Sequence, residues 1–399
     1  MRVLKVVQSY FPFQEHGGPV VKVRALAHGL AQRGHEITVL TADLGLRKAA
    51  GAPISFRSCQ WGYCAEENGI HTLYLSTVAR YRALTLNPGV IGFCRASLRK
   101  FDLVHFYGLY DLLGPSVSHF CRKQGVPYVI EPMGMFRPID RSFRLKRTWH
   151  RHLGTSHWTE SSQIVATSEM EQQELLADGV PAEKIVVRYN GIEGKTFGPV
   201  NARGNFRKKW SIGSTEPILL FLGRLIPRKG ADILIDAFAE ACPDSGRLVI
   251  AGPEGEPGYQ KVLSKRAREA GVESRVIFAG AVYDDEKAAV LADSDIFVLP
   301  SKYENFANSV AEAMACGIPV IITNACGIRS LVEGRAGLLI SPEPEPLAAA
   351  IATLISDRTM YKRFQEGSRA AAAELGWDRL SEQMEGYYSK VLGSRNGGH

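Results

Sequence analysis

"EPILLFLGRLIPRKGADILIDAF", residues 216–238, contains a complete folding unit. The apolar run that ends at Gly223 is too short for a helix and stops at a glycine, so it reads as a strand over 217–223. The loop "GRLIPRKG" (223–230) follows. Leu234, Ala237, Phe238 and Ala241 then recur at i, i+3, i+4 and i+7, which marks one face of an amphipathic helix. Strand, loop and helix in that order form the repeating unit of a parallel α/β sheet. The chain opens the same way, with a strand at 2–9 and a helix carrying Val23, Leu26, Ala27 and Leu30 that stops at Gly34. Further strands are expected at 37–42, 103–107, 127–131 and 163–167, then near 247–251, 275–279, 295–299 and 319–323. Residues 194–216, rich in Gly, Lys, Arg and Asn, read as a joint. The expected fold is therefore α/β, two Rossmann-like domains facing a cleft, spanning 1–199 and 200–376. Ligands are expected at the carboxyl ends of the strands.

Composition fits that expectation. A chain of 399 residues with 45% hydrophobic and 22% charged side chains is an ordinary globular protein with material for two cores. No apolar run reaches the ~18–20 residues that a membrane span needs. "MRVLKVVQSYFPF" alternates like a strand and lacks the apolar stretch of a signal peptide. The seven cysteines form no C-x-x-C pair, which favours reduced cytoplasmic thiols over disulfides or a zinc site. Charge is uneven. Residues 1–200 carry 24 Lys and Arg against 16 Asp and Glu, a net of +8, and the remainder carries 24 against 25, a net of −1. The basic first half is expected to meet something anionic.

Several motifs carry little. "GIEGKT" (191–196) has Tyr189 where a P-loop needs its first glycine, and no G-x-G-x-x-G follows a strand. Asp293-Ser294-Asp295 matches the Asp-x-Asp by which some sugar transferases hold a metal, but a helix end running into a strand explains it as well. His105, in "DLVHFYG", either lines the cleft or is a satisfied histidine at a strand terminus.

Three segments remain, each at the carboxyl end of an expected strand. "HGGP" (16–19) places Gly17 and Gly18 before a helix, where backbone N–H groups can approach an anion. "GRLIPRKG" sets Arg224 and Lys229 on one short loop suited to a diphosphate. The third is "ENFANSVAEAMACGIPVI", from residue 304, read as a helix opening onto a buried strand. On a helix, Glu304 and Glu312 would lie about 12 Å apart along the axis and about 80° apart around it. Carboxylates accept hydrogen bonds from vicinal hydroxyls, so one could hold a ribose and the other a hexose. The backbone N–H groups from Phe306 to Ser309 would seat the phosphate between them.

These segments, with "GHEITVLTA", "VATSEMEQQELLADGV", "EKIVVRYNGI", "RVIFAGAV", "FVLPSKYENFANSVAEAMACGIPVI" and "EGRAGLLI", make the chain resemble the retaining glycosyltransferases of family 4, with the GT-B fold. The resemblance covers nearly the whole chain. It implies that Arg224 and Lys229 bind the donor diphosphate, that Glu304 contacts the donor sugar and that Glu312 contacts the ribose. It further implies that Asn305, Phe306, Ala307, Asn308 and Ser309 lie along the donor, that Val282 meets the base, and that Gly17 and Gly18 close over the phosphates. The last helix, 377–392, would return to the first domain. Two positions depart from the family pattern. Ala307 replaces a usual Gly. Met133, in "EPMGMF", replaces a usual His, whose role is then vacant or passes to Glu131 or His105.

The expected activity is a metal-independent retaining transfer of a hexose from a nucleoside-diphosphate sugar, with no other cofactor. The expected acceptor is a sugar or lipid-linked sugar in cell-surface polysaccharide synthesis. The expected location is the cytoplasm, with contact to an anionic membrane through the basic segment 137–158. No nucleic-acid reader motif is present. The alternatives are a catalytically silent sugar-nucleotide-binding protein and a related epimerase or phosphorylase.

Overall fold

The computed structural model describes residues 1–13, 18–44, 55–81, 84–136, 155–192, 203–242 and 244–396. The chain divides into two compact units, Met1–Asn190 with Trp377–His399, and Gly191–Gly376.

The first unit contains β1 (Arg2–Val7), β2 (Glu36–Ala42), β3 (Arg57–Cys59), β4 (Gly62–Glu67), β5 (Ile70–Leu75), β6 (Ala79–Tyr81), β7 (Leu84–Leu86), β8 (Leu103–Tyr107), β9 (Tyr128–Glu131), β10 (Gln163–Ala166) and β11 (Ile185–Val187). Nine of these form one sheet in the order β11-β10-β9-β8-β1-β2-β5-β4-β3, and β6 and β7 make a separate hairpin. The five expected strands of this half are present, with ends shifted by one or two residues. The edge strands were not expected: β4 pairs antiparallel with β3 and with β5. Asn68 and Gly69 form the turn between β4 and β5 with φ of 49° and 77°. Two left-handed residues in a two-residue loop match the twist of a hairpin.

Side-chain alternation divides the central strands between two layers. Leu4, Val6, Val104, Phe106, Tyr128 and Ile130 pack with the helices Gly89–Ser97 and Leu113–Gln124. Val3, Val7, Leu103, Tyr107 and Val129 face the helices Gly18–Gln32 and Trp377–Asn396. These two helices approach closely, and a Cβ on Gly29 would lie 2.1 Å from the Ser381 hydroxyl.

The second face holds a polar cluster. Register sets Lys5 beside His105 and Tyr107 beside Glu131. Lys5 donates to the Tyr107 hydroxyl at 2.6 Å, and His105 Nδ1 lies 2.6 Å from the Tyr388 hydroxyl on the C-terminal helix. Glu131 pairs with Arg188 at 2.6 Å and with Lys22. All are buried. Burial, followed by the charges of Lys5, Arg188 and Lys22, pulls His105 well below its usual range. Burial alone would raise Glu131, but Arg188 and Lys22 together hold it below the usual carboxylate range. The cleft reading of Glu131 is therefore corrected, and of the two readings of His105 the structure favours the satisfied histidine over the cleft residue. His105 sits in the middle of β8, and both side chains are spent on internal partners. Met133, half-buried with φ of 55°, follows β9 and packs against the same core.

The second unit contains β12 (Ile218–Leu222), β13 (Arg247–Ala251), β14 (Val276–Gly280), β15 (Ile296–Leu299), β16 (Val320–Thr323) and β17 (Gly337–Ile340), in the order β14-β13-β12-β15-β16-β17. Every pair is parallel. All five residues of β12 are buried, as expected for a parallel strand covered on both faces. The helix Ala231–Ala241 buries Leu234, Ala237 and Phe238 against it.

Glu131→Ala would leave Lys22 and Arg188 buried without their counter-ion. The expected cost is about 3–5 kcal/mol of folding stability, read from the urea midpoint. A variant within 1 kcal/mol of wild type would contradict the paired arrangement.

Candidate functional site

In the second sheet the chain leaves β12 toward β13 on one side and later returns to β15 on the other. This is a topological switch point, where the carboxyl ends of adjacent strands diverge and leave room for a ligand. Two loops meet there, Gly223–Gly230 after β12 and Pro300–Ala307 after β15. A backbone bond joins them, Lys302 N–H donating to the Arg228 carbonyl at 2.8 Å, and Glu304 N–H donates to the carbonyl of Ala325, after β16, at 2.9 Å. Thr323 donates to the Ser301 carbonyl at 2.5 Å. The rim is thus built from the ends of three strands.

Lys229 and Glu304 face each other across this rim, Nζ to Oε1 at 2.5 Å. Both side chains are mostly covered, at 13% and 15% exposure, so the pair is shielded enough for its charges to matter. Gly223 makes the room: a Cβ there would sit 3.1 Å from Lys229 Cδ. Arg224, on the same loop, is exposed.

The segment after Glu304 departs from the expected helix. Only Asn308–Ala315 is helical, and Glu304 lies ahead of it in a β-bridge with Cys326. The axial distance and angle expected for Glu304 and Glu312 on one helix therefore do not apply. Ala307, with φ of 75°, makes the turn into the helix and brings no side-chain acceptor to its first amides. Asn305 precedes that turn, Phe306 is buried, and Asn308 and Ser309 begin the first helical turn, where the positive end of the helix dipole favours an anion.

Glu312 points elsewhere, to Lys287 Nζ at 2.9 Å. Lys287 belongs to the helix Asp284–Asp293, which follows the buried Val282 at the end of β14. Sequence reading missed Lys287, although a single base within "DDEKAAVLAD" was a visible signal. Asp293 and Asp295 are structural. Asp293 accepts from the backbone of Gly204 and Arg207, and Asp295 pairs with Arg207 at 3.0 Å. Among the described residues no cluster of His, Cys, Asp and Glu is arranged to hold a metal. Gly17 lies outside the described residues, and Gly18 opens the helix Gly18–Gln32.

The arrangement offers two cations at strand ends beside a helix start, one carboxylate on the same rim and a second on the adjoining helix. Such a set can bind a polyanion that carries hydroxyl groups.

Comparison with known proteins matches this layout. The family model "Glycosyl transferases group 1" fits residues 202–371, and "Glycosyl transferase 4-like domain" fits residues 17–191. A GDP-mannose-dependent alpha-mannosyltransferase of Mycobacterium tuberculosis is 29% identical, over 99% of this chain and 98% of its own. A D-inositol 3-phosphate glycosyltransferase of Xylanimonas cellulosilytica is 27% identical, over 95% and 93%. Among solved structures, Anabaena HepE in complex with UDP shares the fold with a TM-score of 0.76 at 24% identity, over 98% of this chain and 100% of its own.

A left-handed alanine costs about 1–2 kcal/mol, and glycine at that position avoids the cost. Ala307→Gly is therefore expected to stabilise the chain by about 0.5–1 kcal/mol after the added freedom of the unfolded state. Ala307→Val is expected to destabilise it by more than 1 kcal/mol. Denaturant unfolding of both variants checks this, and a weakened Gly variant would refute the assigned backbone.

Proposed function

We propose a reaction for this chain, which belongs to the GT4-type glycosyltransferases of GT-B fold: transfer of a hexose from a nucleoside-diphosphate sugar to an acceptor hydroxyl. The Lys229–Glu304 pair carries the reading. The bond to be broken joins the hexose to the diphosphate, so groups that hold its two sides must be neighbours. A cation and a carboxylate 2.5 Å apart on one rim meet that requirement.

In this reading Arg224 and Lys229 neutralise the charge that grows on the departing diphosphate, aided by the helix start at Asn308 and Ser309. Glu304 holds the hexose hydroxyls and keeps Lys229 in place. Glu312 holds the ribose, steadied by Lys287, while Asn305, Phe306 and Ala307 line the donor and the backbone at Val282 meets the base. No protein nucleophile or metal is assigned. The acceptor attacks on the face from which the diphosphate leaves, and the diphosphate takes the acceptor's proton, which gives retention.

Two of the proteins named above, the GDP-mannose-dependent mannosyltransferase and the HepE structure with UDP, use or bind such compounds, which supports a nucleoside diphosphate as the carrier. The basic first half, at +8 over residues 1–200, supports an anionic acceptor such as a lipid-linked sugar in polysaccharide synthesis, with peripheral membrane contact. The segment 137–158, to which that contact was first assigned, lies largely outside the described residues. Among the described residues no helix is long and apolar enough to cross a membrane.

Arg224→Ala and Lys229→Ala are each expected to lower kcat by about 10²-fold or more. They are assayed with a chelator present, which should leave wild-type turnover unchanged. Near-wild-type rates in both variants, or loss of wild-type activity to the chelator, would defeat the corresponding assignment.

The two glutamates should fail differently. Glu312→Gln is expected to raise the donor KM more than it lowers kcat, because the ribose changes little during reaction. Glu304→Gln is expected to lower kcat more than donor affinity, because geometry and charge change at the hexose. Calorimetry with a free nucleoside diphosphate should show normal binding to the Glu304 variant and weak binding to the Glu312 variant. The opposite order would reverse the donor along the site.

A further inference from the structure

Residues 68–101 contain no Asp or Glu but five Lys and Arg: Arg80, Arg82, Arg95, Arg99 and Lys100. The same stretch holds four of the eight large hydrophobic side chains exposed among the described residues, Val78 at 65%, Tyr81 at 65%, Leu86 at 49% and Ile91 at 45%. The coincidence is local, because the other four are scattered at positions 21, 210, 262 and 283.

The β6–β7 hairpin explains the exposure. Its register pairs Ala79 with Leu86 and Tyr81 with Leu84, so these four share one face. Ala79, Tyr81 and Leu86 are exposed and Leu84 is half-buried. On the opposite face Thr85 is buried. It accepts from Gln8 Nε2 at 2.7 Å and donates to Asn87 Oδ1 at 2.6 Å, and Asn87 donates to the Leu75 carbonyl at 3.0 Å. Gln8 and Leu75 end or follow strands of the large sheet, so the hairpin is pinned by its polar side and presents its apolar side outward. The neighbouring helix Gly89–Ser97 repeats the pattern. It buries Val90, Phe93 and Cys94, and exposes Ile91 and Arg95 four residues apart on one face. Arg80, Arg99 and Lys100 are also exposed.

We propose that the β6–β7 hairpin and the outer face of the helix Gly89–Ser97 dock the protein onto an anionic membrane surface. Tyr81, Leu86 and Ile91 enter the interfacial layer and Arg95, Arg99 and Lys100 meet lipid headgroups. Exposed apolar side chains and exposed bases within one stretch of 34 residues (68 to 101 inclusive) that holds no acid complement an anionic bilayer in both polarity and charge. A protein partner would have to be both apolar and strongly acidic to match as well. The proposal deepens the membrane contact proposed above by naming its surface, and its test does not use the transfer reaction.

The full chain is sedimented with vesicles of phosphatidylcholine alone and with about one third phosphatidylglycerol. Wild type is expected to bind the anionic vesicles and to be released by high salt. Tyr81→Ser with Leu86→Ser, and separately Arg95→Glu with Arg99→Glu, should each weaken that binding by about tenfold or more. Unchanged circular dichroism and an unchanged first-unit transition in urea establish that both double variants are folded. Equal binding of wild type to both vesicle types, or binding that survives both double variants, overturns the proposal. So does a concentration-dependent dimer, seen by light scattering, that the hairpin variant abolishes while vesicles bind nothing. A wild type that binds anionic vesicles through this face but no nucleoside diphosphate upholds the docking surface and overturns the transfer reading.

Discussion

Strands such as β8, Leu-Val-His-Phe-Tyr, and β12, Ile-Leu-Leu-Phe-Leu, are buried along their whole length. A strand covered on both faces can present nothing to a substrate except at its ends, where the backbone leaves the sheet. Polar chemistry here accordingly takes two forms, at a rim or buried against internal partners. Lys5, His105, Tyr107 and Glu131 show the second outcome. They lie on a covered face, so each must find its partner among the others, and Glu131 answers the charges of Lys22 and Arg188. Lys229 and Glu304 show the first, at the ends of β12 and β15.

The same constraint decides what the sequence could reveal. Parallel strands announce themselves as short apolar runs, and all ten read from the sequence occur within one or two residues of their expected ends. The edge of the first sheet is half-exposed, so β3 and β4 carry Ser, Gly, Cys and Glu and lack that signature. The Asn68–Gly69 pair was the available clue, because it codes for a tight turn without needing hydrophobicity. Lys229 and Glu304 were visible as residue types in loops after strands, but their 2.5 Å contact was not. It depends on how two loops separated by some seventy residues fold toward one rim.

The error over residues 304–307 has a specific cause. Apolar spacing from Val310 onward continues smoothly into the preceding residues, and nothing in the pattern marks where helix becomes turn. The break comes from the left-handed backbone at Ala307, a position where glycine would have given the turn away. The two readings of His105 stayed open for a related reason. A histidine near the end of a strand looks like a site residue until the C-terminal helix, 283 residues later, supplies the Tyr388 hydroxyl that occupies it.

That late contact bears on how the protein is made. The first unit is discontinuous in sequence, since Trp377–His399 belongs with Met1–Asn190. During synthesis, the sheet through β11 emerges while the helix that covers Val3, Val7 and Leu103, and meets His105, is still untranslated. The second unit lies within 191–376, one continuous stretch, so all of it is translated before Trp377–His399. For that interval the nascent chain holds an uncovered sheet face and a His105 without its Tyr388 partner, and the C-terminal helix is the element that covers both.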